Sequence, residues 1–365
     1  MSPLEALVAL NMLPKIGPIR VRRLLAAFGE ASDVLGAPKE RLMRVDGIGE
    51  ETAGILHRWQ DHADPLAEIA EAAERGIDIV IQSDAAYPAP LQEAYDPPLL
   101  LYVWGKLEAR DRHAIGVVGS RRTTHYGTQA AKKFSYQLAQ SGFTIISGLA
   151  RGIDTAAHEA AVAAQGRTIA VIGSGLGKLY PPENLALAEK IASGNGAVVS
   201  EFPLHTAPDK QTFPMRNRIV AAWSKALLVV ECPAWSGSLI TANLAVEYGK
   251  PVFAVPGPID KPSSAGCNQL IRDGATLVAD PSHLLDDLGE LPFARKESQP
   301  ELIPGIPELP EEEAKVFEAM GNDDLAVDRI IERSGLPAHV VSASLMKLEM
   351  RKLVRAMPGF RYVKR

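Results

Sequence analysis

Thr144-Ile145-Ile146-Ser147-Gly148-Leu149-Ala150-Arg151-Gly152 is the stretch that decides how this chain folds. A short apolar run rich in β-branched residues ends in a glycine-bearing turn, and a helical pattern follows from Thr155 to Ala164. The same order recurs nearby. Ala114–Val118 runs into Gly119-Ser120-Arg121, and Thr168–Ile172 runs into Gly173-Ser174-Gly175. Ala226–Glu231 precedes Trp235-Ser236-Gly237-Ser238, which opens the helical pattern Ser238–Glu247. Strands of this kind, without polar alternation, are buried on both faces, and their alternation with helices predicts a doubly wound parallel sheet, an α/β fold. In such a sheet the turns lie at one end. Their backbone N–H groups and helix N-termini converge on one crevice, a place suited to phosphate. Arg121, Arg122, Arg151, Arg216 and Arg218 lie in or near these turns.

Outward from this stretch, Ala197–Ser200, Val252–Val255 and Thr276–Ala279 read as further strands. Asp64–Arg75 reads as a capped helix and Asp78–Gln82 as a strand, so the core domain is expected over residues 63–290. Residues 1–62 read as a helical domain. Leu13–Leu25 and Leu42–Leu56 each give an apolar residue, a tight glycine turn and a helix. Both resemble the helix-hairpin-helix motif, whose turn presents backbone N–H groups to a nucleic-acid phosphate, although Pro18 stands where the first copy would have glycine. A small packing domain whose glycines only make turns is the alternative. Residues 291–310 hold five prolines and read as a linker. Residues 311–365 read as three helices, Glu311–Met320, Ala326–Ser334 and Ala338–Arg351, and a short wing at Pro358–Arg365. That is a winged-helix pattern. Seven Lys or Arg against one acid from His339 onward would suit DNA, and a protein-docking module is the alternative.

The 365 residues carry a net charge of −5, so nucleic-acid binding would have to rest on local basic patches. Two cysteines, Cys232 and Cys267, give no disulfide framework and suggest a reducing compartment. The N-terminus has no signal-peptide pattern and no apolar run approaches a membrane span, so a cytoplasmic protein is expected.

Simple catalytic motifs fail. Gly173-Ser174-Gly175-Leu176-Gly177-Lys178 has Lys where a dinucleotide fingerprint needs its third glycine. As a P-loop it lacks the first glycine at Ile172, and Leu179 replaces the Mg²⁺-binding hydroxyl. His158-Glu159 begins like a zinc-protease helix, but Val162 replaces the second His. Neither a metal, a cofactor nor a catalytic residue is expected.

Several motifs then read together. They are Tyr87-Pro88, Asp96-Pro97-Pro98, Val118-Gly119-Ser120-Arg121, Ser147-Gly148-Leu149-Ala150-Arg151-Gly152-Ile153-Asp154 and Ile172-Gly173-Ser174-Gly175 with Tyr180-Pro181. Ser200-Glu201-Phe202-Pro203, Phe213-Pro214, Arg216-Asn217-Arg218-Ile219, Ser236-Gly237-Ser238-Leu239-Ile240-Thr241-Ala242 and Gly266-Cys267-Asn268 follow in order. This series resembles the DprA/Smf family of DNA-processing proteins over roughly residues 80–280. The Gly177-Lys178 pair departs from the family, which more often has an acidic residue after the Leu that stands here at 176. The resemblance implies an extended Rossmann-like, doubly wound core and a homodimeric single-stranded DNA binding protein of natural transformation that protects incoming strands and helps load the RecA recombinase.

The residues support that role in their own terms. A non-specific single-strand binder needs positive groups along a backbone track and faces on which bases stack. Gly119, Ser120, Gly148, Gly173, Ser174, Gly175, Ser236, Gly237 and Ser238 are the expected phosphate turns. Arg121, Arg122, Arg151 and Lys210 supply charge, and Phe213 a stacking ring or a core contact. Arg216 and Arg218 are either DNA ligands or internal partners of Glu201 or Glu231, as alternate residues of a turn or strand. Asp154 and His158, one helical turn apart, read as a local structural pair. Trp235 reads as a lid residue or simple packing. The edge segment Gly266–Ala279, with Leu270, Ile271, Leu277 and Val278, is expected to form the dimer contact. An enzyme of the nucleoside-monophosphate phosphoribohydrolase (lysine decarboxylase-like) type is the main rival. The turn at 235–241 lacks that group's double glycine and Glu.

Overall fold

Nine strands form one sheet: β1 (Ile77–Ile81), β2 (Leu100–Gly105), β3 (Ala114–Val118), β4 (Thr144–Ser147), β5 (Thr168–Val171), β6 (Gly196–Ser200), β7 (Ala226–Val229), β8 (Val252–Ala254) and β9 (Thr276–Leu277). The computed structural model describes residues 1–289, 309–321, 325–351, 353–357 and 361–364. The strand order is β1-β2-β6-β5-β4-β3-β7-β8-β9. All pairs from β6 to β9 are parallel, whereas β1 with β2 and β2 with β6 are antiparallel. The sheet is thus mostly parallel, with an antiparallel extension at one edge that the strand pattern alone did not reveal. β1 was expected one residue further on, and β2 not at all.

Why these runs became central strands is visible in their burial. Ile115, Val117, Ile145 and Leu228 pack on one face against Phe134, Leu138, Ile153 and Ala157. Val118, Ile146, Val171 and Val229 pack on the other against Ile219, Trp223, Ala242 and Ala245. Strands covered twice need no polar alternation. The strand order reverses between β3 and β7, which opens a crevice at their C-terminal ends.

Residues 212–223 overturn one local expectation. Arg216 and Arg218 lie on the helix Thr212–Trp223, not in a turn or strand. Pro214 sits in its first turn, where a missing N–H costs nothing. On a helix, residues two apart point to different sides. The two arginines therefore meet different neighbours.

The chain divides into two compact units, Met1–Ala294 and Arg295–Arg365. In the first, the helices of residues 1–62 have a core of their own that includes Leu10, Leu24, Val34, Leu42 and Leu56. They also join the sheet: Val8 packs with Leu100 and Tyr102, and Asn11 Nδ2 donates to the Glu201 carbonyl at 3.0 Å. Gly17 and Gly49 begin the helices Pro18–Phe28 and Glu50–His57. The nearby cations are largely engaged. Arg23 meets Asp46 at 2.8 Å, Lys39 meets Glu50 at 2.9 Å, and Arg22 donates to the Tyr95 carbonyl at 2.6 Å.

The second unit holds the helices Glu311–Ala319, Val327–Ser334 and Ala338–Met350 and a small sheet, Leu325–Ala326, Arg361–Lys364 and Val354–Met357. Val316, Met320, Ile330, Val341, Leu345 and Leu348 fill its core. Part of its basic character is spent internally, because Lys347 and Arg351 lie 3.8 and 3.5 Å from the buried Glu313 carboxylate. The linker expected over 291–310 falls, for residues 291–308, outside the described residues, as do wing residues 358–360 and 365. Among the described residues, no helix is long and apolar enough to cross a membrane.

Candidate nucleic-acid interface

The crevice between β3 and β7 holds a cavity of about 530 Å³. Its floor is Val118–Arg122 with Asp154 and Arg216, one wall is Pro233, Ser236–Ser238, Ile240 and Thr241, and the other is Lys210, Phe213 and Pro214. Of the residues singled out in the sequence, Gly119, Ser120, Arg121, Arg122, Lys210, Phe213, Arg216, Ser236, Gly237 and Ser238 therefore come together. The wall at 236–238 is the start of the helix Gly237–Glu247, capped by Ser236, whose Oγ accepts from Ser238 N–H at 3.3 Å. A helix N-terminus aimed at the cavity carries partial positive charge.

The arginine loop is fixed from beneath. Buried Glu231 accepts from Thr123 Oγ1 at 2.7 Å and from Thr124 N–H and Oγ1, each at 2.8 Å. Its carbonyl accepts Ser120 N–H at 2.7 Å, so that N–H is not offered to a ligand. Arg121 and Arg122 are left exposed on a braced loop. Lys210, also exposed, rides a turn closed by Asp209, which accepts Gln211 N–H at 2.8 Å.

Rings and cations form a row along one side. The Arg121 guanidinium lies 4.7 Å from the centre of the half-buried Phe213 ring. Phe213 and Tyr180 have ring centres 6.0 Å apart, and Arg151 stands 5.7 Å from the Tyr180 ring. A small adjoining hollow of about 20 Å³ is lined by Arg121, Gly148, Arg151, Tyr180, Phe213 and Arg216. Arg151 is exposed but ion-paired with Glu183, which raises its pKa. Tyr180 had no assigned role in the sequence. It lies over thirty residues before Phe213, and only the fold brings the two rings together.

Several expected ligands are placed otherwise. The turn Gly173-Ser174-Gly175 does not open on the crevice. Thr212 Oγ1 donates to the Gly173 carbonyl, Gly175 N–H donates to Thr206 O at 2.9 Å, and Ser174 is buried. A Cβ on Gly175 would lie 2.0 Å from the Pro203 carbonyl oxygen, so this glycine serves close packing. Arg218 is an internal partner: it is buried, paired with Glu201 and Asp96, and donates to the Asp96 carbonyl at 2.6 Å. Arg216 reaches the cavity floor, but its Nη1 donates to the carbonyls of Gly148 and Val171. Burial pulls its pKa down to about 10, which keeps it charged at neutral pH.

Asp154 and His158 do not pair with each other. Asp154 accepts from Gly148 and Ala150 N–H at 3.1 and 3.3 Å, and burial pushes its carboxyl pKa up against the opposing charge of Arg216. His158 Nδ1 meets Thr168 Oγ1 at 2.7 Å, and burial with the Arg216 charge lowers its pKa to about 3. Both hold structure beneath the crevice. Of the expected dimer residues, Leu277 is exposed on edge strand β9, Leu270 and Ile271 are half-buried, and Val278 is fully buried, so it is not available as surface.

A family model described as DNA recombination-mediator protein A matches residues 78–289. A DprA winged helix domain model matches 300–359, and a SAM-like helix-hairpin-helix tandem matches 7–57. Protein Smf of Synechocystis sp. is 34% identical over 390 residues, 98% of either chain. Protein Smf of Escherichia coli is 41% identical over 75% of this chain and 74% of its own. Among solved structures, DNA processing protein A of Streptococcus pneumoniae aligns with a TM-score of 0.67 at 34% identity, covering 80% of this chain and 99% of that one. DNA processing protein A of Helicobacter pylori, solved for its single-stranded DNA binding mode, aligns with a TM-score of 0.52 at 30% identity over 58% of this chain and 95% of that one.

Proposed function

Since the chain belongs to the DprA/Smf family of DNA recombination-mediator proteins, we propose that it binds single-stranded DNA in the crevice between β3 and β7. The observation that carries this reading is the meeting of exposed Arg121, Arg122 and Lys210 with the Phe213 ring at one cavity. Phosphates of the strand run along the cations and the N-terminus of Gly237–Glu247, and bases stack toward Phe213 and Tyr180. Stacking does not depend on which base is present, so sequence preference is small. Arg151 contributes at the far end once its ion pair with Glu183 exchanges for phosphate.

The same reading makes the protein a carrier of DNA and not a catalyst. It holds strands for recombination, assists loading of RecA, and acts as a homodimer paired through the β9 edge. The relative from Helicobacter pylori, described by its single-stranded DNA binding, supports the first step. Polarisation of labelled oligo-dT against duplex of the same length tests it. Tighter binding to the single strand that weakens with salt is expected, because phosphate contacts release counterions. Equal affinity for duplex, or turnover of nucleoside monophosphates by the pure protein, counts against it.

A further inference from the structure

Trp235 is 96% exposed. Of the four tryptophans, Trp223 is fully buried, and Trp59 and Trp104 are half-buried. The expected lid or packing roles leave this ring with nothing to pack against. A tryptophan held wholly in water is unusual, since its apolar body favours burial. The backbone that carries it is held in place. Ser236 N–H donates to the Pro233 carbonyl at 3.1 Å, which closes a tight turn around Ala234 and Trp235. Both ends of that turn, Pro233 and Ser236, belong to the cavity wall, and Ser236 is anchored as the cap of the following helix. Residue 235 therefore sits between two residues of the wall opposite Phe213, with its side chain in solvent.

We propose that Trp235 is a base-stacking platform for the strand as it leaves the crevice. This inference rests on the single-strand reading and extends it. Phe213 and Tyr180 serve the strand inside the crevice, and Trp235 receives a base outside it, across the 233–236 turn. The occupant follows from continuity with the cationic crevice: a polyanion running along Arg121, Arg122 and Lys210 and out over the wall brings its bases to this ring. A π-face takes any base, so the platform adds affinity and length without adding sequence preference.

The test uses the full chain, with oligo-dT of roughly four and roughly sixteen nucleotides spanning the usual range of single-strand site sizes. Affinity is read by polarisation of labelled DNA and, separately, Trp235 is followed by intrinsic fluorescence. The long oligomer is expected to quench a red-shifted emission that Trp235→Phe lacks. Trp235→Ala is expected to weaken the long oligomer roughly five- to hundred-fold and to leave the short one unchanged, while Trp235→Phe retains most of the affinity. A long strand with abasic sites should bind wild type and Trp235→Ala alike.

Unchanged affinity of Trp235→Ala for the long strand overturns the proposal, as does equal loss for the abasic strand. A change in solution mass of Trp235→Ala also overturns it, because the ring would then belong to a contact between copies. No binding of either oligomer by the wild type removes the single-strand reading itself, and this inference with it. Binding without Trp235 quenching removes only the inference.

Discussion

The guanidinium of Arg216 lies flat on Gly148: a Cβ at that glycine would sit 2.4 Å from Nη1 and 2.5 Å from Cζ. One of the conspicuous glycines of the 144–152 stretch thus admits the Arg216 side chain at close range. Arg216 in turn ties the ends of β4 and β5 together through the carbonyls of Gly148 and Val171.

Gly148→Ala should therefore destabilise the protein by about 1–3 kcal/mol, the usual cost of overpacking a filled site. The guanidinium is held by its own hydrogen bonds and has nowhere to retreat. Arg216→Ala should cost more, about 3–5 kcal/mol, because it leaves buried carbonyls and the Asp154 carboxyl without their cation. Denaturant unfolding measures both. An Arg216→Ala protein of wild-type stability with weakened DNA binding would make Arg216 a surface ligand after all.

Arg121→Ala and Lys210→Ala should behave in the opposite way. Both side chains are exposed, and the loop bearing Arg121 is held by Glu231 through Thr123 and Thr124, so stability should be unchanged. Affinity for oligo-dT should fall, and the slope of log affinity against log salt should drop by about one unit or less for each lost phosphate contact. Wild-type affinity in both variants would move the DNA track elsewhere.

These contrasts show what the sequence made legible. Ala114–Val118 and Thr144–Ser147 were expected with the limits they have, because β-branched runs flanked by glycine turns mark strands buried on both faces. The glycine turns that end the strands pointed to a crevice, and the structure brings Arg121 and Lys210 to one cavity there. Arg218 and the Gly173–Gly175 turn could not be resolved, since both depend on what packs against them from distant parts of the chain: Glu201 and Asp96 for one, Pro203 to Thr206 for the other. Tyr180 was hidden for the same reason. Local pattern carries no record of which ring a fold will bring beside it.

The dimer proposal gives a separate test. β9 is an edge strand of two residues, and Leu277 on it is 48% exposed. If two copies pair along this edge, Leu277→Glu should shift the full-length protein from dimer to monomer in sedimentation at tens of micromolar, with its circular dichroism unchanged. A variant that stays dimeric places the contact on another face of the sheet.

His158 supplies a prediction about pH. Burial lowers its pKa to about 3 from the ordinary value of 6.5 carried by the unfolded chain. Between these values the unfolded state binds the extra proton, so stability rises with pH across that window and is lost as pH falls through it. The full contribution is present above about pH 6.5. Asp154 beneath the same crevice works in the other direction: its raised pKa favours the protonated folded state at low pH, so total stability mixes the two. A difference measurement isolates the histidine. His158→Asn cannot take up a proton, and its amide can still meet Thr168 Oγ1, the partner of Nδ1. Relative to that variant, the wild type should lose up to about 1.4 kcal/mol of unfolding free energy per pH unit as pH falls below 6.5. Urea unfolding of both proteins at matched pH measures the slope. Parallel stability curves for the two between pH 6.5 and 4 would mean that His158 titrates normally in the folded protein, and that the ground beneath the crevice is wet.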